Sequence, residues 1–327
     1  MKIIKKICFG IYEVYTIFMS VSLFVFLKPG LLIFKKISSL RRYEHFCYKV
    51  INFVNYLYPM QRMESLKDNK VKYDIKIYRD TYDREGLNLY FNFFSPDESI
   101  TNKRILDFGC GVGGKAFELL KYNPRRIVGI DLSSRNIKFA KELIDKINSN
   151  NLFYLNLNIF DLKENNQFDT IISFTVFEHI DKELLLPILN KMYELLESNG
   201  ICIIVFNHYN SKFGMHLKEY IYHPWPQTLF EEYILYQFWN CKLKNDIKSY
   251  ENSYFPIEYN HGLNGHNADC FMNLNKVSIS EFEEMINKSK FNYIYKDLYS
   301  KSFLLKLIPI LPEKYLIGSA TYYLRKF

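Results

Sequence analysis

The sequence predicts an α/β protein built on a doubly wound, largely parallel sheet, and three observations lead there. Short apolar runs of strand length alternate with amphipathic stretches of helix length from Arg104 to Phe206. A glycine-rich stretch, Arg104 to Gly114 (R-I-L-D-F-G-C-G-V-G-G), joins the first of those runs to the first helix. Acidic residues then recur at or just past the predicted strand ends, at Asp107, Asp131 and Asp161, where sheets of this kind bind ligands.

The glycine stretch sets the argument. Ile105 to Phe108 reads as a short buried strand, and the glycines after it as a tight turn opening a helix near Gly114. Without a Cβ, such a turn takes strained angles and lets its backbone approach a ligand, while the helix start points N–H groups into the crevice. Gly109, Gly111 and Gly114 also fit the G-x-G-x-x-G spacing of dinucleotide sites, and Asp131 ends the next strand (Ile127 to Ile130) where a ribose-binding acid is expected. Both readings put a nucleotide in the sheet, and Asp107 separates them. A carboxylate beside the turn repels a pyrophosphate but suits a ligand carrying an ammonium and a sulfonium, so S-adenosylmethionine is favoured over a nicotinamide dinucleotide.

Further along, strands are expected at 126–131, 152–156, 168–173 and 201–206, and helices at 115–121, 135–148 and 182–197. Ser133 or Ser134 and Asp181 are placed to cap the helices at 135–148 and 182–197, and Asn199-Gly200 to end the latter. Helical crossovers between these strands imply parallel pairing and right-handed connections. Phe174 and Asn207 then fall just past the fourth and fifth strands, on the same rim as the three acids. Ser278 and Glu281 form a capping box for a helix at 279–288, with a strand following at 291–298.

These motifs together resemble the class I S-adenosylmethionine-dependent methyltransferases. The resemblance is carried by I-L-D-F-G-C-G-V-G-G, I-V-G-I-D-L-S, N-I-F-D-L and F-D-T-I-I-S-F-T-V-F-E-H-I, in the family's order. It covers residues 100 to 206 well and the C-terminal part more loosely. It implies a Rossmann-like sheet of seven strands, the last at 317–325. It further implies Asp107 and Gly109 near the methionine moiety, with Cys110, Gly111 and Gly113 in the same turn. Asp131, followed by Leu132, would hold the ribose hydroxyls, and Asp161 would sit near the adenine amino group. Phe174 and Glu178 would lie on the cofactor side of the turn after the fourth strand.

Outside the core, 327 residues leave room for three regions: an apolar N-terminal helix at 1–42, a helical lid at 43–99, and the catalytic domain at 100–327 with a cap insertion at about 207–277. The net charge of +8 has no Lys/Arg block of the kind that makes a nucleic-acid arm, and suits an acidic membrane surface or a solvated lysine-rich one equally. The six cysteines form no C-x-x-C pair, which argues against zinc and a disulfide framework and fits a reducing compartment. No acid or histidine cluster has metal-ligand spacing. Residues 7–27 hold one charge, Glu13, followed by Pro29-Gly30 as a helix end. The run therefore packs on protein, lies in a membrane interface through residues 7–36, or spans a bilayer with the domain in the cytoplasm. Five of the seven histidines and both tryptophans fall after Phe206, in the stretch expected to cover an apolar acceptor or simply to pack. As a base for a hydroxyl or amine acceptor the candidates are His179, His208 and His216. A small-molecule, lipid or glycan-linked acceptor is expected, and nucleic acid is not, because F-T-V-F stands where an Asn-Pro-Pro-Tyr-like motif would.

Overall fold

A computed structural model gives the fold for residues 12, 15–16, 18–59, 87–147, 149–163, 167–212, 214–218, 220–247, 274–299 and 317–327. The chain divides into two compact units, one of residues 74–209, 273–299 and 319–327, the other of 1–73, 210–272 and 300–318.

The first unit holds a seven-stranded sheet: β1 (Arg104–Phe108), β2 (Arg126–Asp131), β3 (Leu152–Asn156), β4 (Phe168–Phe174), β5 (Leu196–Phe206), β6 (Asn292–Tyr299) and β7 (Ser319–Arg325). Their order is β3-β2-β1-β4-β5-β7-β6. The first five run parallel, while β7 pairs antiparallel with both β5 and β6. The expected α/β sheet of seven strands is therefore present. Successive side chains of a strand face opposite ways, so each β-run supplies two cores. Leu106, Val128, Ile171 and Ile204 pack with Leu185, Leu189 and Met192 of helix Lys182–Leu195 and with Phe282 and Ile286 of helix Ile279–Lys288. On the other face Ile105, Ile127, Ile172 and Ile203 meet Ala116, Leu119, Ile137 and Ala140 of helices Gly114–Leu119 and Ser134–Ile147. Both faces being covered explains why the strands read as unbroken apolar runs.

Several local expectations hold. Ser133 Oγ accepts from the Asn136 N–H at 3.2 Å, and both halves of the Ser278–Glu281 capping box are made. Others are corrected. Asp181 stands at the N-cap position but makes no side-chain capping bond. Asn199-Gly200 does not end a helix: the helix stops at Leu195, β5 begins at Leu196, and Asn199 adopts a left-handed φ of 63° inside the strand's first turn of chain. Asparagine tolerates that conformation better than most residues, so the pair breaks the strand locally.

The second unit contains a helix over Phe18–Ile37, a helix Leu40–Tyr56, a short 3-10 turn Pro226–Thr228 and a helix Glu232–Ile247. Pro29-Gly30 was expected to stop the first helix, and it does not. Residues Leu23–Leu27 form a π-turn closed by the Lys28 N–H on the Leu23 carbonyl, and Pro29 enters within the first turn of the segment that follows. A π-turn widens the helix and relieves the clash a proline ring makes with the preceding turn. Asn55 pins this unit by donating to the Tyr220 carbonyl (2.8 Å) and accepting from the Tyr222 N–H (2.9 Å). Both tryptophans are buried, Trp239 meeting Tyr220 edge-on. Of the helical lid expected at 43–99, residues 60–86 lie outside the described residues, as do His261 and His266.

Candidate cofactor site

Between β1 and β4 the strand order reverses, and the carboxyl ends of the parallel strands form a rim there. The turn leaving β1 carries three glycines at positive φ: Gly109 at 72°, Gly111 at 53° and Gly113 at 84°. A Cβ on Gly109 would stand 2.4 Å from Val176 Cγ2, and one on Gly113 would stand 2.6 Å from the Tyr154 ring. Nothing lies within 4 Å of the same position on Gly111. The outer two glycines are thus required by the protein's own packing, and the middle one opens onto space.

The turn is tied to β2. The Gly109 and Cys110 N–H groups donate to the Ile130 carbonyl at 2.9 and 3.0 Å. Asp131, at the end of β2, accepts from the Gly111 N–H at 3.0 Å on one oxygen and from the Ser133 N–H at 2.8 Å on the other. A carboxylate has roughly four acceptor positions, so these two bonds orient Asp131 without exhausting it. Tyr154 of β3 donates its hydroxyl to the Gly113 carbonyl at 2.5 Å, and Asn156 donates to the carbonyls of Asp131 and Leu132 at 3.0 and 2.8 Å. Leu132 itself is exposed, as is Asp161 at the end of a 3-10 turn after β3. Asp107 and Cys110 are buried at the root of the turn.

The chain leaving β4 closes over the same turn. Phe174 ends the strand, with the Lys115 ammonium 4.3 Å from its ring centroid. Thr175 then adopts φ 54°, an outlier for a β-branched residue, while its N–H bonds the Val205 carbonyl at 2.9 Å. That kink sets Val176 against Gly109 and starts the turn Phe177–His179. Asn275, nearly a hundred residues away, latches it: its amide nitrogen donates to the carbonyls of Phe177 (2.7 Å) and Ile180 (2.6 Å), and its backbone N–H to that of Glu178 (2.8 Å).

Glu178 is fully buried on this turn. Desolvation pushes its carboxyl up to about 8, against smaller opposing contributions from its own backbone and from both backbone and side chain of Asn207, so it is mainly protonated at neutral pH. His179 beside it is half-buried, and His208, two residues past β5, is buried in the same unit. His216 belongs to the other unit, at φ 55°.

Asp107, Gly109, Cys110, Gly111, Gly113, Asp131, Phe174 and Glu178 thus all fall on the strand-end rim or the turns rising from it. Tyr154, Thr175, Val176 and Asn275, which shape that rim, were not anticipated. Their roles depend on contacts with residues distant in sequence, and only the glycine spacing hints that something must fill the space around it. The open position over Gly111, with oriented Asp131 on one side and buried Asp107 at the turn's root, fits a ligand such as S-adenosylmethionine.

Comparison with known proteins agrees. Residues 100–223 match the model of a methyltransferase domain family. A ubiquinone biosynthesis O-methyltransferase of Pelagibacter ubique is 32% identical over 123 residues, covering 38% of this chain and 50% of that protein. A tRNA U34 carboxymethyltransferase of Helicobacter acinonychis is 29% identical over 111 residues, 32% of this chain and 41% of that protein. The chain spans no more than half the length of these curated relatives. Among solved structures, an S-adenosylmethionine-dependent methyltransferase from Listeria monocytogenes, itself described as putative, aligns over 69% of this chain and 92% of its own at 18% identity, with a TM-score of 0.44. Residues 100–223 thus carry a methyltransferase domain.

Proposed function

We propose that this protein transfers the methyl group of S-adenosylmethionine to an oxygen or nitrogen of a small-molecule, lipid or glycan-linked acceptor. The observation that carries the reading is the joined glycine turn and Asp131. One carboxylate oxygen holds the Gly111 N–H, so the turn and the acid at the end of β2 form one preorganised cradle. When bound, the cofactor supplies an electrophilic methyl on a sulfonium, which an acceptor takes by in-line displacement.

The chain's part is to position and to move a proton. In this reading Asp107 and the turn hold the amino-acid end, Asp131 with Leu132 holds the ribose and its base, and Asp161 reaches the adenine amino group. Positioning alone contributes much of the acceleration in such a transfer. A hydroxyl or amine acceptor loses its proton as it attacks, and His208 or His179 at the rim is the candidate to take it. Neutral Glu178 is a hydrogen-bond donor on the cofactor side rather than a base. The domain works where that cofactor is made, in the cytosol.

The oxygen acceptor is supported by the relative named for ubiquinone biosynthesis, while the tRNA-modifying relative removes the ground for setting nucleic acid aside. Incubation with methyl-labelled S-adenosylmethionine and, in parallel, phenols, amines, a lipid extract and bulk tRNA decides. The reading expects label in the organic-extractable products and a drop in kcat of roughly a hundredfold or more in His208→Ala if His208 is the base. Label confined to tRNA would overturn the acceptor class.

A further inference from the structure

Helix Phe18–Ile37 is 20 residues long and apolar, yet Leu31 is its one buried residue and the rest are half-buried or exposed. A core helix of that composition would be buried. One side of it is nevertheless held along its length by its own unit. Tyr15 donates its hydroxyl to the Leu57 carbonyl (2.9 Å), Ser20 meets the Tyr58 hydroxyl (3.1 Å), Leu31 is buried, Lys28 donates to the Leu229 carbonyl (2.7 Å), and Lys35 pairs with Glu231 (2.5 Å). The opposite side presents Phe18, Val21, Val25 and Leu32, at helical spacings of three, four and seven, with Phe24, Phe26, Ile33 and Ile37 at its margins, all exposed. Lys36, Arg41 and Arg42 stand exposed where the apolar stripe ends.

From this geometry we propose that the stripe docks on an anionic lipid bilayer, with the helix lying in the membrane interface rather than crossing it. A spanning helix offers lipid its whole circumference. This one is clasped on one flank and has a lysine near its middle that already serves a carbonyl of its own unit. An interfacial helix combines an apolar face with cationic residues in this way, and each Lys or Arg near an anionic surface strengthens binding roughly fivefold. A second copy of the chain is the poorer occupant: it would bring the same cationic rim, and the chain's net charge is already +8.

The test is flotation of the full-length protein with vesicles of phosphatidylcholine alone and of phosphatidylcholine mixed with phosphatidylglycerol. Two variants accompany it, Val21→Asp/Val25→Asp and Lys36→Ser/Arg41→Ser/Arg42→Ser, all at exposed positions. The proposal expects the wild type to float with the mixed vesicles, the first variant to stay at the bottom, and the second to bind roughly a hundredfold more weakly at low salt. Failure of the wild type to float, flotation unchanged in the Asp variant, or sedimentation showing a stable dimer that does not bind vesicles would each overturn it.

Discussion

At the scale of single residues, Glu178 is the group whose chemistry the fold changes most. Its carboxyl, ordinarily near 4.5, is pushed up to about 8 by burial, so the folded state holds its proton more tightly than the unfolded chain. Its contribution to stability is therefore fully present below about 4.5 and is lost as pH rises toward 8. Melting temperature measured from pH 5 to 9 should fall across that window in the wild type and fall much less in Glu178→Gln, which keeps a neutral side chain. An identical slope in both would show that Glu178 is charged in the folded protein. His223 is perturbed in the complementary way in the other unit: burial pushes its imidazole down to about 3, and it stays neutral against the Tyr58 hydroxyl at 3.1 Å. None of this was legible in the sequence. F-E-H-I marks a turn after a strand, but it takes the latch from Asn275 and the kink at Thr175 to carry Glu178 out of water.

At the scale of elements, the glycine turn is where sequence and structure meet most closely. The spacing announced a strand, a tight turn and a helix, and β1, the turn and helix Gly114–Leu119 stand there. What the spacing did not carry is that the three glycines answer to different constraints. Gly109→Ala sets a methyl against the stiff Val176 side chain at 2.4 Å, and Gly113→Ala against the Tyr154 ring at 2.6 Å, each at a left-handed φ. Each should cost about 2 kcal/mol or more in chemical denaturation. Gly111→Ala meets no atom within 4 Å and should cost about 1 kcal/mol from backbone strain alone, while weakening cofactor binding disproportionately because its methyl points into the open crevice. Equal destabilisation by all three would contradict this division. Elsewhere, apolar runs and the Ser278–Glu281 capping box located strands and helices to within a residue or two, since they depend on neighbours in sequence; the exception is the start of β5, expected at 201 and found at Leu196. Pro29-Gly30 and Asn199-Gly200 misled because a π-turn in one case and strand pairing in the other overrode a local rule.

For the sheet-bearing unit as a whole, stability and chemistry sit at opposite ends. At the amino ends of the strands Arg104 donates to Asp169 (3.0 Å) and Glu197 (2.8 Å), joining β1, β4 and β5, and its backbone N–H also bonds Asp169. At the carboxyl ends lie the two acids, the glycine turn and the buried turn of Glu178. That polarity was foreseeable, because a parallel sheet brings all its strand ends to one rim, and Asp107, Asp131, Asp161, Phe174 and Asn207 were each placed there by counting along the chain. The central claim is that this rim binds S-adenosylmethionine. It is tested most directly by calorimetric titration of the full-length protein with S-adenosylmethionine, S-adenosylhomocysteine and NAD, alongside Asp107→Asn and Asp131→Asn. Binding of the first two, at least tenfold weaker in each variant, and no binding of NAD is the predicted result. Binding of NAD alone would contradict the account and leave only the sheet.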